Sequence, residues 1–279
     1  MIEFFGYAFG LAGSDNSTNK GPETIRKSNL IPLAFQHKWS ETVSNENNTD
    51  VVKELRRCSS RLKQAISKTN NKFFVFGGDH SSAITTIQAA KAKHNNLKIL
   101  WIDAHMDLHT MTSSHSKNIH GMPLATALGQ ADCLLTTIYD KELEIQASDV
   151  CLFGVRSYEA EEKSRLEKLG INIVYMDEIK QIGLAASWHK ALEKLKITPD
   201  SNLLFSIDLD AFDPIFAPAV TVPEPGGIDA DDFCQTLSET KHLWQNKLVA
   251  GEIVEFSPIN DKNQITEKLI FRILNCLFA

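Results

Sequence analysis

Short, continuous apolar runs alternate along this chain with longer stretches whose apolar residues recur at helical spacing. The runs predict strands at residues 3–7, 73–76, 98–102, 150–155, 172–176, 203–207 and 250–254. The intervening stretches predict helices at 51–69, 82–94, 123–128, 158–169, 184–195, 229–242 and 265–277; in the last, Ile265, Leu269, Ile273, Leu274 and Leu277 fall on one face. The strand candidates do not alternate between apolar and polar residues. They are apolar throughout, the pattern of a parallel sheet covered on both faces. The polar stretch 40–50 reads as a surface loop. With no linker, repeat or low-complexity tract, residues 1–279 read as a single α/β domain.

Composition narrows the functional classes. Of 279 residues, 43% are hydrophobic and 23% charged, ordinary for a globular protein with a large core. A formal net charge of −6 disfavours a nucleic-acid partner, which usually meets a basic patch. No apolar stretch is long enough to span a bilayer. The start, Met1-Ile2-Glu3-Phe4-Phe5, lacks the features of a signal peptide, so a cytoplasmic protein is expected. Cys58, Cys133, Cys151, Cys234 and Cys276 form no C-x-x-C pair and read as buried free thiols.

The chemistry lies where three apolar runs end: Gly77-Gly78-Asp79-His80-Ser81, Asp103-Ala104-His105-Met106-Asp107 and Ser206-Ile207-Asp208-Leu209-Asp210. Ligands of open α/β sheets bind beyond the carboxyl ends of strands. A lone Asp at such a place is usually a helix cap. Four carboxylates and two imidazoles converging there need cations between them, because buried charge is costly unless neutralised. Alternation at a strand end would point Asp103, His105 and Asp107 the same way, and Asp208 with Asp210 likewise. The glycine pair before His80 is expected to permit a tight turn. A hard, oxygen-rich set without thiolate favours Mn²⁺ over Zn²⁺ or Mg²⁺. Two such ions, about 3.5–4 Å apart in two-metal enzymes, make a nucleophile of water, so metal-assisted hydrolysis is expected.

These motifs, in this order, resemble the ureohydrolase family of arginases, agmatinases and formimidoylglutamases. The resemblance extends to Gly21-Pro22-Glu23-Thr24-Ile25-Arg26, Asn118-Ile119-His120-Gly121, Asp208-Leu209-Asp210-Ala211-Phe212-Asp213-Pro214 and Glu255-Phe256-Ser257-Pro258. It implies a three-layer α/β/α fold, a dinuclear Mn²⁺ centre and hydrolysis of a guanidinium group to urea and an amine. By position, one Mn²⁺ would be held by His80, Asp103, Asp107 and Asp208, the other by Asp103, His105, Asp208 and Asp210. A bridging hydroxide would attack the guanidinium carbon, Asp210 would carry the proton to the leaving nitrogen, Glu255 would accept guanidinium hydrogen bonds, and His120 would exchange protons with solvent.

Residues 108–120 resemble the arginase loop more than the agmatinase loop. The resemblance gives Ser116 and His109, the latter where many arginases have Asn, to the substrate α-carboxylate. Glu159 goes to the α-amino group, and Ser157 stands in place of an acid. Thr221-Val222-Pro223 departs from the usual Gly-hydroxyl-Pro and removes a donor near the guanidinium. The expected substrate is therefore a small guanidino amino acid, L-arginine. Agmatine, guanidinobutyrate and formimidoylglutamate are the rival substrates within the family. A weakly active metal-loaded binding protein and a zinc-dependent deacylase are the readings outside it. Relatives are often trimers or hexamers, so a homo-oligomer is expected.

Overall fold

The computed structural model describes residues 1–46 and 50–279. Its strands are β1 (Ile2–Ala8), β2 (His37–Ser44), β3 (Lys72–Gly77), β4 (Leu97–Ile102), β5 (Val150–Val155), β6 (Asn172–Tyr175), β7 (Asn202–Asp208) and β8 (Leu248–Val254). They form one sheet in the order β2-β1-β3-β8-β7-β4-β5-β6, with every neighbouring pair parallel. The helices are α1 (Gly21–Lys27), α2 (Val51–Ser67), α3 (Ala83–Lys93), α4 (Pro123–Ala127), α5 (Cys133–Thr136), α6 (Ala160–Leu169), α7 (Met176–Ile182), α8 (Leu184–Lys194), α9 (Ala230–Trp244) and α10 (Ile265–Phe278).

Successive side chains of a strand point to opposite faces, so a strand buried on both sides must be apolar at every position. In β3, Phe74 and Phe76 join the core beneath α8, α9 and α10, with Trp188, Phe233 and Ile270. Phe73 and Val75 join the opposite core beneath α2, α3 and α4, with Leu55, Ile84 and Leu124. The result is the parallel sheet covered on both faces expected from the apolar runs, in the three-layer α/β/α arrangement that the family resemblance implies. Trp188 anchors the first core, with Phe153, Phe205 and Phe233 edge-on at 5.6, 5.6 and 5.8 Å.

Three expectations need correction. The polar stretch 40–50 is not all loop: His37–Ser44 is strand β2, paired with β1, and residues 47–49 lie outside the described set. As a half-exposed edge strand, β2 buries little apolar surface and so left no apolar run. Residue 176 ends no strand; it opens the short helix α7, which the apolar pattern does not predict. The helix expected from residue 158 starts at Ala160, after its N-cap Glu159. Cys58, Cys151 and Cys234 are buried free thiols, and Cys276 is half-buried. No helix among the described residues is long and apolar enough to cross a membrane.

Candidate metal centre and substrate cavity

Four adjacent central strands, β3-β8-β7-β4, direct their carboxyl ends to one place. His80 follows β3, Asp103 follows β4, Asp208 ends β7 and Glu255 follows β8. The placement of Asp103, His105 and Asp107 is not strand alternation. β4 ends at Ile102, and all three lie on the turn beyond it, with Asp107 at a φ of +51°. Backbone N–H groups hold this turn and the one after β7: His105 donates to Asp103 Oδ1 (2.7 Å), Ala104 to Asp210 Oδ1 (3.2 Å) and, after β7, Asp210 to Asp208 Oδ1 (2.9 Å). Glu255 also adopts a left-handed φ, +66°. Such conformations in non-glycine residues are costly and concentrate at functional sites. The glycine pair works through room, not through an unusual φ. A Cβ at Gly78 would collide with the Phe9 carbonyl, and one at Gly77 with Ser82 and Val254.

At the centre, His80 Nδ1 lies 3.1 Å from Asp103 Oδ2, 3.1 Å from Asp107 Oδ2 and 3.0 Å from Asp208 Oδ2. One ring nitrogen carries at most one proton and cannot satisfy three carboxylates. Neither His80 Nδ1 nor Asp107 Oδ2 has a hydrogen-bond partner among the described residues. A common point faced by an imidazole lone pair and three carboxylate oxygens suits a hard divalent cation. The far side of the ring fixes the tautomer: His80 Nε2 meets Ser206 Oγ at 2.9 Å, and Ser206 donates to fully buried Glu252 at 2.9 Å. Trp101 stacks on the same imidazole at 4.3 Å and donates to Asp103 Oδ2.

A second group adjoins the first. Donor atoms of Asp103, His105 and Asp210 lie within 4.8 Å of one another, as do those of His80, Asp103 and Asp208, so Asp103 is common to both. His105 Nδ1 stands 3.0 Å from Asp210 Oδ2 and 3.6 Å from Asp103 Oδ1. Asp208 falls in the first group only. Burial, followed by the charge of Asp103, pushes the Asp107 carboxyl up to about 7. Burial, followed by Asp210 and Asp103, pushes Asp208 well above the carboxylate range. Carboxylates this close resist ionising together without a cation, and the chemistry of the donor set therefore fits a metal pair.

A cavity of about 340 Å³ opens over these groups. On one wall Glu255 Oε1 accepts from the His80 N–H (2.8 Å) and lies 3.1 Å from His120 Nδ1, while Thr221 Oγ1 donates to Oε2 (3.0 Å). Burial works against a charged His120, but the bond to Glu255 outweighs it and raises the imidazole to about 9. The same contact overcomes burial at Glu255 and lowers its carboxyl. On the other wall stand His109, Ser116 and Glu159. His109 Nε2 lies 3.3 Å from Glu162 and 3.6 Å from half-exposed Glu159. Ser116 Oγ accepts from the Asn118 N–H. All of the sequence-derived candidates thus converge on one cavity and its floor.

The sequence reading passed over several participants. Ser206 and Asp79 lie inside the strand-end motifs, and Asp79 Oδ2 accepts from the Ala12 N–H across the sheet end. Glu252 is marked in the sequence as a carboxylate inside an apolar strand. Glu162 and Glu224 carry no such mark.

A family model described as "Arginase family" matches residues 1–279. An arginase from Bacillus caldovelox is 33% identical, covering 100% of this chain and 98% of its own length. One from Brevibacillus brevis is 30% identical, covering 100% and 97%. Among solved structures, the crystal structure of arginase from Bacillus subtilis superposes with a TM-score of 0.91 at 28% identity, covering 99% of this chain and 98% of that one. A full-length family match, relatives aligned end to end, and a carboxylate–imidazole centre at the mouth of a parallel sheet agree: this chain belongs to the arginase family.

Proposed function

We propose that this protein is a manganese-dependent amidinohydrolase that converts L-arginine and water to L-ornithine and urea. The observation that carries the reading is the unshared His80 Nδ1 facing three carboxylate oxygens at 3.0–3.1 Å, beside a second ligand group joined to it through Asp103. His80, Asp103, Asp107 and Asp208 would hold one Mn²⁺, and Asp103, His105, Asp208 and Asp210 the other. When bound, the two cations neutralise the carboxylates and acidify a water, so that a nucleophile is present near neutral pH.

The chain's own groups do the rest. Glu255, fixed by the His80 N–H, His120 and Thr221, presents its carboxylate to the planar guanidinium. Attack at the guanidinium carbon forms the C–O bond; the C–N bond to the δ-nitrogen then breaks. Asp210 passes the proton from the attacking water to that nitrogen, which leaves as the amine. His120, at the cavity wall with a partly open side chain, returns protons to solvent. Glu159 faces the substrate ammonium, and Ser116 with His109 faces its carboxylate. Thr221 restores one hydroxyl to the wall where Val222 offers none. A cytoplasmic location, one catalytic domain over residues 1–279, and assembly as a homo-oligomer belong to the same proposal.

The test is urea release after Mn²⁺ reconstitution, from L-arginine, agmatine, guanidinobutyrate and, by formamide release, formimidoylglutamate. Arginine is expected to give the highest kcat/KM. Agmatine has no α-carboxylate to meet Ser116 and His109 and is expected to be turned over less efficiently. Equal or faster turnover of agmatine would overturn the substrate assignment, and no turnover of any compound would overturn the enzyme reading.

A further inference from the structure

The segment between Thr221 and Gly227 carries a carboxylate that no step above uses. Glu224 Oε1 accepts from Ser157 Oγ at 3.0 Å and lies 3.5 Å from His105 Nε2. The other nitrogen of that ring, Nδ1, faces Asp210 at 3.0 Å in the second ligand group. Glu224 is therefore on the far side of the imidazole from the cation position, and it belongs to no ligand group among the described residues. A neutral imidazole can ligate through one nitrogen only while its proton sits on the other, and a carboxylate there fixes both the tautomer and the ring plane.

The backbone is built to hold Glu224 in this place. The Arg156 guanidinium donates to the carbonyls of Glu224 (2.6 Å) and Pro225 (3.2 Å), and also to those of Asp210 (2.7 Å) and Ala211 (3.1 Å). One planar cation thus ties the segment bearing Glu224 to the turn bearing Asp210. Behind Gly227 there is no space for a side chain, since a Cβ would press on Arg156 and the Ala211 carbonyl.

We propose that Glu224, held by Ser157, is a positioning residue for the second cation site: it keeps the His105 proton on Nε2 and presents Nδ1 as the ligand. The inference rests on the two-cation reading above. The alternative is a rim ion pair of no consequence.

The experiment is a Mn²⁺ titration of the full chain, with free ion followed by electron paramagnetic resonance, so that the tighter and weaker sites are read separately. Glu224→Leu is expected to weaken one site about tenfold or more, as loss of a carboxylate behind a ligating histidine generally does, with the other within about twofold. Glu224→Gln, whose amide oxygen accepts the same bond, should restore the lost affinity. Ser157→Ala should act in the same direction, and adding it to Glu224→Leu should change nothing further, because the serine acts through the glutamate. Wild type taking up two ions while Glu224→Leu binds both unchanged would overturn this inference alone. So would equal weakening of both sites with a fall in Tm, or additive effects in the double variant. Wild type taking up fewer than two ions would overturn the two-cation reading and this inference with it.

Discussion

Ser206→Ala removes a single hydroxyl that lies below the metal centre and touches no substrate. In the native protein His80 Nε2 meets that hydroxyl at 2.9 Å, and the hydroxyl donates to Glu252 Oε1 at 2.9 Å. Ser206 and Glu252 are fully buried and His80 nearly so, hence no solvent replaces what is lost. The alanine leaves an imidazole N–H without an acceptor and takes a hydroxyl donor from Glu252, to which Ser82 and Thr86 also donate. A hydrogen bond to a charged group contributes about 1.5–3 kcal/mol, so metal-free stability should fall by about that amount. The freed ring no longer holds its proton on Nε2, and Mn²⁺ affinity should drop about 10–100-fold. Thr86→Val is the control. It removes a donor to Glu252 Oε2 at 2.7 Å but does not reach His80. Stability should fall as much, with Mn²⁺ affinity unchanged. Calorimetric Mn²⁺ titration gives the affinities, and urea unfolding in EDTA gives the stabilities. Wild-type affinity in Ser206→Ala, or equal loss in Thr86→Val, would refute the reasoning.

Two further predictions concern the fold. Glu3, at the start of β1, accepts from Ser40, Thr69 (2.5 Å) and Asn71 (3.0 Å) and pairs with Lys38 at 3.1 Å. Burial raises its carboxyl, but these donors outweigh it and bring it down to about 2. A folded value below the unfolded one stabilises above about pH 4.5, and that stability is lost as pH falls toward 2. The shift corresponds to about 3 kcal/mol, reduced to about 1–2 by solvent screening around half-exposed Lys38. The stability gap between wild type and Glu3→Gln, measured by urea unfolding, should therefore shrink between pH 6 and pH 3.5; a constant gap refutes the clamp. In the core, Trp188 is fully buried, and its Nε1 has no hydrogen-bond partner among the described residues. Trp188→Ala should cost about 3–5 kcal/mol. Trp188→Phe, which keeps an aromatic ring and removes the unpaired N–H, should cost well under half of that in the same unfolding assay.

How much of this was legible beforehand depended on whether the physics is local. Strands such as β3 and β7 announce themselves because burial on both faces demands apolar residues at every position. A carboxylate or imidazole directly after such a run is visible for the same reason: it is charge where charge is expensive. Hence His80, Asp103 and Asp208 stood out, whereas β2, an edge strand with one wet side, did not, and neither did the short helix α7. Tertiary structure alone decided which strand ends become neighbours. The sheet order sets β8 and β7 between β3 and β4, bringing residues far apart in the chain within 3 Å or so of one nitrogen. It also decided the supporting cast. Ser206, Glu162 and Glu224 are ordinary polar residues in the chain. They gain a role only from the group on the other side of a hydrogen bond, and that partner is supplied by packing between elements distant in sequence.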